Sequence, residues 1–230
     1  MDPASEEYKR KYFNLDEPLV LTQGRGMMHG EGPIHPQEVK RENIKLASTP
    51  EAHALAILES LDAWERTPED HRANTPRRFL EALHQLTDRK SFNFTTFPAG
   101  KLDQMITLGP IPFYTLCAHH IVPFYGNVWI GYVPSDKIAG LSKFARAVKW
   151  CAKGLWVQET LTEEITDVIQ SHLSPLGVAV VVKAEHMCMA MRGVEQPGVI
   201  TTTSAMRGVF SDHERTAKAE FLEWIHNAST

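Results

Sequence analysis

The sequence predicts an α+β fold, an antiparallel sheet with packed helices. Three observations carry this expectation. Two stretches rich in β-branched and aromatic residues, DQMITLGPIPFYTL and VPFYGNVWIGYVP, follow each other as a hairpin; GVAVVVKAEHMCMAMRGV supplies a later strand; and helical periodicity fills the segments around them. The order is helices, hairpin, two helices, then a second strand region, and it suits a small antiparallel sheet with helices on one face.

Each element has its own signature. In residues 1–50, GRGMMHGEGPIHP interrupts any periodic pattern and reads as a flexible or externally packed extension. Residues 51–100 read as a helical N-terminal region. EAHALAILESLDAWE repeats apolar residues at Ala54, Leu55, Leu58 and Leu61, and Thr75-Pro76 opens a second helix, TPRRFLEALHQL. Residues 101–230 hold the sheet. Within them, GLSKFARAVKWCAKGL places Leu141, Phe144, Val148, Cys151 and Leu155 on one helical face, with Lys143, Arg146 and Lys153 on the other. TLTEEITDVIQSHL is a further amphipathic helix with an acidic first turn, and HERTAKAEFLEWIHN reads as a terminal helix. A sheet of about four strands leaves edges that subunits can join.

Composition narrows the function classes. With 230 residues, 43% hydrophobic and 23% charged, the chain suits one main core. A formal charge of -4 gives no global positive field for nucleic acid, although a local basic pocket can hold a phosphorylated metabolite. The charged opening MDPASEEYKRKYF lacks a signal-peptide core, and no apolar run reaches membrane-spanning length, so a cytoplasmic protein without a membrane partner is expected. Three cysteines, Cys117, Cys151 and Cys188, are too few for a disulfide scaffold.

The chemistry concentrates in two places. In TLCAHHIVPF, Cys117 and His120 form a C-x-x-H pair that can chelate one ion across a bend, and Cys188 can supply a distant third ligand. The same residues are also compatible with a packed cysteine beside a surface histidine. Period two from Val178 would carry Val180, Val182, Ala184, His186, Cys188, Ala190 and Arg192 to one side of a long strand. His119 and His186 then stand near the candidate metal as proton donors or acceptors, or as ordinary hydrogen-bonded histidines. Lys143, Arg146 and Arg192 can surround a polyphosphate, with Arg78 a possible contributor, although a solvated helix face explains the first two equally. Glu159 can accept hydrogen bonds from a guanine's N1 and exocyclic amine; helix capping by Gln158-Glu159 is the plainer reading of that pair alone.

Taken together, LCAHHIVPFYGNVWIGYVP, GLSKFARAVKW, WVQETLTEEI, AEHMCMAMRGV and TTTSAMRGVF occur in the order of the GTP cyclohydrolase I family, which the chain resembles over roughly residues 66–226. The resemblance implies zinc held by Cys117, His120 and Cys188, with His119 and His186 in proton transfer. It implies Gln158 and Glu159 at the guanine and Lys143, Arg146 and Arg192 at the triphosphate. Arg78 of TPRR is implied across a subunit boundary, and Thr115, which replaces a family serine before the motif, is expected among the substrate contacts. The implied reaction adds water at C8 of GTP's guanine, opens the imidazole ring, releases formate and closes the rearranged product as 7,8-dihydroneopterin triphosphate. The implied fold is the tunnelling fold, with subunit sheets joined into a pentameric barrel and two rings making a homodecamer.

One departure stands inside the motif. The family's usual CEHH is CAHH here, so Ala118 cannot accept a hydrogen bond or tune a neighbouring histidine by charge. Two other readings follow from it: a partial hydrolase that opens the imidazole ring without releasing formate, and a nucleotide-binding assembly protein without turnover.

Overall fold

A computed structural model of the chain describes residues 49–211 and 216–228. The expected N-terminal extension therefore lies almost wholly outside the described residues. The chain divides into two compact units, Met1–Ser60 and Leu61–Thr230.

In the first unit the described residues form one helix, α1 (Pro50–Glu59), opened by Thr49, whose hydroxyl accepts from the Ala52 amide at 3.2 Å. The helix expected over 51–65 is thus not continuous. α1 ends at Ser60, and the second unit begins with its own short helix, α2 (Asp62–Glu65).

The second unit continues with α3 (Glu69–Arg72) and α4 (Thr75–Thr87), the latter with proline in its first turn as its sequence predicts. Two small strands, β1 (Thr96–Pro98) and β4 (Lys137–Ala139), pair with each other. The principal sheet has five strands in the order β5-β2-β3-β6-β7. Its long members are β2 (Ile106–Cys117), β3 (Pro123–Val133), β6 (Gly177–His186) and β7 (Ile200–Gly208), antiparallel throughout. A two-residue strand, β5 (Leu155–Trp156), runs parallel to the end of β2 and makes the sheet mixed.

Alternation along β3 and β6 sends side chains to two cores. Phe124, Val128, Ile130, Val178, Val180, Val182 and Ala184 face α5 (Leu141–Cys151) and α6 (Gln158–Leu173), where they meet Phe144, Val148, Cys151, Leu161, Ile165 and Ile169. On the opposite face, Trp129, Ala179 and Val181 pack with Phe210 and with Phe221 and Ile225 of the terminal helix α8 (Ala217–Ala228). Helices therefore cover both faces, not one as the element order suggests. The valines of β6 explain this: Val178 to Val182 is apolar on both sides of the pleat, the pattern of a strand buried twice.

Two expected apolar positions also move. Leu141 is exposed at the start of α5, and Leu155 lies beyond the helix in β5, so the buried stripe of α5 is Phe144, Ala147, Val148 and Cys151. The long strand expected over GVAVVVKAEHMCMAMRGV also stops early: β6 ends at His186, Met187–Ala190 form one helical turn, α7, and a further strand not foreseen from the sequence, β7, follows. Cys188 and Arg192 consequently do not continue the strand's alternation.

Candidate metal and proton-transfer site

The TLCAHHIVPF stretch is the turn of the β2–β3 hairpin. Leu116 pairs with Pro123, the Cys117 amide donates to the Val122 carbonyl at 2.9 Å, and the Ile121 amide donates back to the Cys117 carbonyl at 2.8 Å. Ile121 takes a φ of 55°, a left-handed conformation that is strained for a β-branched residue. β5 holds the turn from beside it, because the Ala118 amide donates to the Trp156 carbonyl at 2.9 Å. These bonds leave Cys117 buried and His119 and His120 exposed, with their Nδ1 atoms 3.8 and 3.9 Å from the Cys117 sulfur.

α7 completes the cluster. It turns the chain back after β6 so that the metal-ligating atoms of Cys117, His120 and Cys188 all lie within 4.8 Å of one another. Two thiols and an imidazole converging from residues this distant in sequence form a donor set suited to zinc. Burial and then the adjacent Cys117 thiol push the Cys188 thiol up, opposed by a backbone hydrogen bond at Cys188 and by Arg192.

His186 sits one strand over, opposite Phe124 in the β3–β6 ladder, and its ring stacks on that phenyl at 4.4 Å and 5°. Burial lowers its pKa from the ordinary value, and the nearby Glu159 carboxylate partly opposes this. Glu159 itself is exposed at the start of α6. The adjoining Glu185 carboxylate accepts from the Gly198 amide at 2.7 Å and from the Tyr125 hydroxyl at 2.9 Å. Those bonds hold its pKa down, and they tie the Arg192-bearing segment to β6.

Two residues expected at the substrate are enclosed within the fold of the single chain. Thr115 is 1% exposed inside β2, and its hydroxyl turns to the Gly154 carbonyl at 3.4 Å. Gln158 is also 1% exposed, with its amide nitrogen directed at Val182, Thr201 and Thr203 and its oxygen at His186. Both side chains are enclosed and bonded within the chain.

The basic residues are distributed differently. Arg192 acts on Cys188 electrostatically, Lys143 is half-buried on α5, and Arg146 and Arg78 are exposed on α5 and α4. None of the four has an ion-pair partner among the described residues. The structure thus brings Cys117, His119, His120, Cys188, His186, Glu159 and Arg192 into one region of the unit. Thr162, Thr203, Glu185 and Tyr125 were missed by sequence reasoning; only the spacing of Thr162 four residues after Gln158 hinted at a shared helix face.

The family model for GTP cyclohydrolase I matches residues 37–226. Among curated relatives, the GTP cyclohydrolase 1 of Hydrogenobaculum is 46% identical over 152 residues, covering 66% of this chain and 83% of its own. That of Bacillus subtilis is 40% identical over 194 residues, 82% of this chain and 97% of its own. The Dictyostelium discoideum protein of the same name is 50% identical over 122 residues, about half of each chain.

Proposed function

Because the chain belongs to the GTP cyclohydrolase I family, we propose that it converts GTP to 7,8-dihydroneopterin triphosphate and formate at the β2–β3 hairpin turn. The observation that carries this reading is the convergence of Cys117, His120 and Cys188 within 4.8 Å, beside two histidines not needed as ligands.

Cys117, His120 and Cys188 would hold zinc. When bound, the metal supplies Lewis acidity that makes water nucleophilic near neutral pH. His119, exposed beside that cluster, and His186, backed by Phe124, move protons to and from the opening imidazole ring. His186 is suited to start as a base, since burial favours its neutral form. Glu159 accepts from the guanine edge and orients the ring. Arg192, Lys143 and Arg146, cations without ion pairs among the described residues, bind the triphosphate.

Arg78 serves the same phosphates in a neighbouring subunit. The open edges of the five-stranded sheet at β5 and β7 support joining of subunits into a pentameric barrel, and two such rings into a homodecamer. No helix among the described residues is long and apolar enough to cross a membrane. A cytoplasmic enzyme acting on free GTP completes the reading.

The deciding experiment incubates metal-quantified protein with GTP and follows substrate, ring-opened nucleotide, pterin product and formate together. Formate and dihydroneopterin triphosphate in equal amounts are expected. Accumulated ring-opened nucleotide, or GTP binding with no product at full zinc occupancy, would replace this reading with a partial or non-turnover one.

A further inference from the structure

We infer that Gln158 is a positioning residue that determines which nitrogen of His186 carries the ring proton, and that Thr203 on β7, backed by Thr162, holds the Gln158 amide in the orientation required. The inference rests on the proposed role of His186 and moves Gln158 from substrate contact to alignment.

Hydrogen-bond chemistry leaves one consistent assignment. Gln158 Nε2 lies 3.2 Å from the Val182 carbonyl and 3.1 Å from both the Thr201 carbonyl and Thr203 Oγ1. Backbone carbonyls only accept, so the nitrogen end of the amide must face them; the reverse orientation would set oxygen against two carbonyl oxygens. Oε1 then lies 2.8 Å from His186 Nε2. An amide oxygen also only accepts, so Nε2 is the nitrogen that bears hydrogen. A neutral imidazole has one N–H, which leaves Nδ1 as the lone-pair side of the ring.

The hydroxyls extend the same logic. Thr162 Oγ1 donates to the Gln158 carbonyl at 2.8 Å and lies 2.6 Å from Thr203 Oγ1. With that hydrogen committed, Thr203 donates to Thr162, and its oxygen shares the two hydrogens of Gln158 Nε2 with the Val182 and Thr201 carbonyls. Donation thus runs from His186 at the end of β6 to Gln158 on α6, on to Thr203 on β7, and back through Thr162 to the Gln158 carbonyl, in a region where Thr162 and Gln158 are both 1% exposed. The Phe124 stack fixes the plane of the His186 ring and the Gln158 bond fixes its rotation within that plane. His186 therefore exchanges protons with substrate through Nδ1.

The test compares the full-length protein with Gln158→Met, Thr203→Val and Thr203→Ser, each with imidazole-15N-labelled histidine. In the wild type a His186 Nε2–H resonance protected from solvent exchange is expected, and Gln158→Met should lose it. With GTP, Gln158→Met should lower kcat by about 10- to 100-fold and leave KM within about 2-fold. Thr203→Val should lower kcat by about 3- to 10-fold, and Thr203→Ser should restore it. A raised KM at unchanged kcat, with the resonance retained, makes Gln158 a substrate ligand and overturns the inference. If Gln158→Met does not fold, wild-type kcat and resonance in Thr203→Val overturn it instead. If wild-type protein forms no product, the GTP reading fails, whereas the resonance still decides the Gln158–His186 assignment.

Discussion

Burial pushes both the Cys151 and the Cys188 thiol up, away from the thiolate form. Cys151 is fully enclosed between α5 and the sheet, and burial, aided by Glu164 and opposed by Arg89, pushes its thiol up to about 12. A thiol in an unfolded chain ionises near pH ~8.5, so between that value and about 12 the unfolded state loses a proton that the folded state keeps. Stability from this group is fully present below the unfolded pKa and falls by about 1.4 kcal/mol per pH unit above it. Denaturant unfolding at about pH 8 and about pH 10.5 should show a smaller alkaline loss in Cys151→Ala than in the wild type; equal losses would remove Cys151 as the cause. Ala118 invites a gain instead of a loss. It is exposed at the hairpin turn between Cys117 and His119. Ala118→Glu should restore an acceptor beside the metal cluster and raise zinc affinity by about 10-fold, measured by competition with a chelator. No change would mean that this turn is already ordered without the carboxylate.

The elements that carry the site depend on close backbone approach. A Cβ added at Gly126 would lie 1.9 Å from the Lys183 carbonyl oxygen and 2.7 Å from the Ala184 Cα across the β3–β6 ladder. Neither neighbour is a flexible side-chain tip, so the strands themselves would have to part. Gly126→Ala should therefore cost about 3 kcal/mol or more by denaturant unfolding. Because Gly126 is two residues from Phe124, the His186 stack should be disturbed as well. A wild-type stability would mean that the ladder can open locally at little cost. Arg89 has the complementary role of joining elements: it lies over Trp150 at 4.3 Å and Trp156 at 5.2 Å, and donates to Glu164 at 2.8 Å and to the Cys151 carbonyl at 3.2 Å. It thereby links the segment after α4 to α5, β5 and α6, and so to the strand that supports the metal turn.

For the whole molecule, the proposed assembly makes each site a joint product of two subunits. Arg78 sits on α4, exposed and without an ion pair among the described residues, whereas the Cys117, His120 and Cys188 cluster is built at the hairpin turn. Arg78→Ala and His119→Ala proteins should each lose most activity as pure assemblies. Unfolding and reassembling them together should recover part of it, because some boundaries then combine an intact Arg78 with an intact His119. Recovery no greater than the sum of the separate proteins would mean that Arg78 acts within its own subunit or not at the site.

By itself the sequence determined the class of fold, the β2–β3 hairpin, the body of β6, the principal helices and the residue types of the Cys-His-Cys cluster, because these follow from short-range periodicity and from motif spacing, whereas β7 was not foreseen. Phe144, Val148 and Cys151 turned inward, and Cys117, His120 and Cys188 met, as their spacing and family resemblance implied. Tertiary structure decided what period cannot encode. It placed α8 on the second face of the sheet, ended β6 at His186 so that a helical turn could swing Cys188 back, and added β5 behind the metal turn. It also enclosed Thr115 and Gln158, two residues that a linear motif groups with substrate contacts. The physical reason is that burial and hydrogen-bond commitment depend on neighbours from distant strands: Gln158 is directed by Val182, Thr201 and Thr203, which no local pattern connects to it.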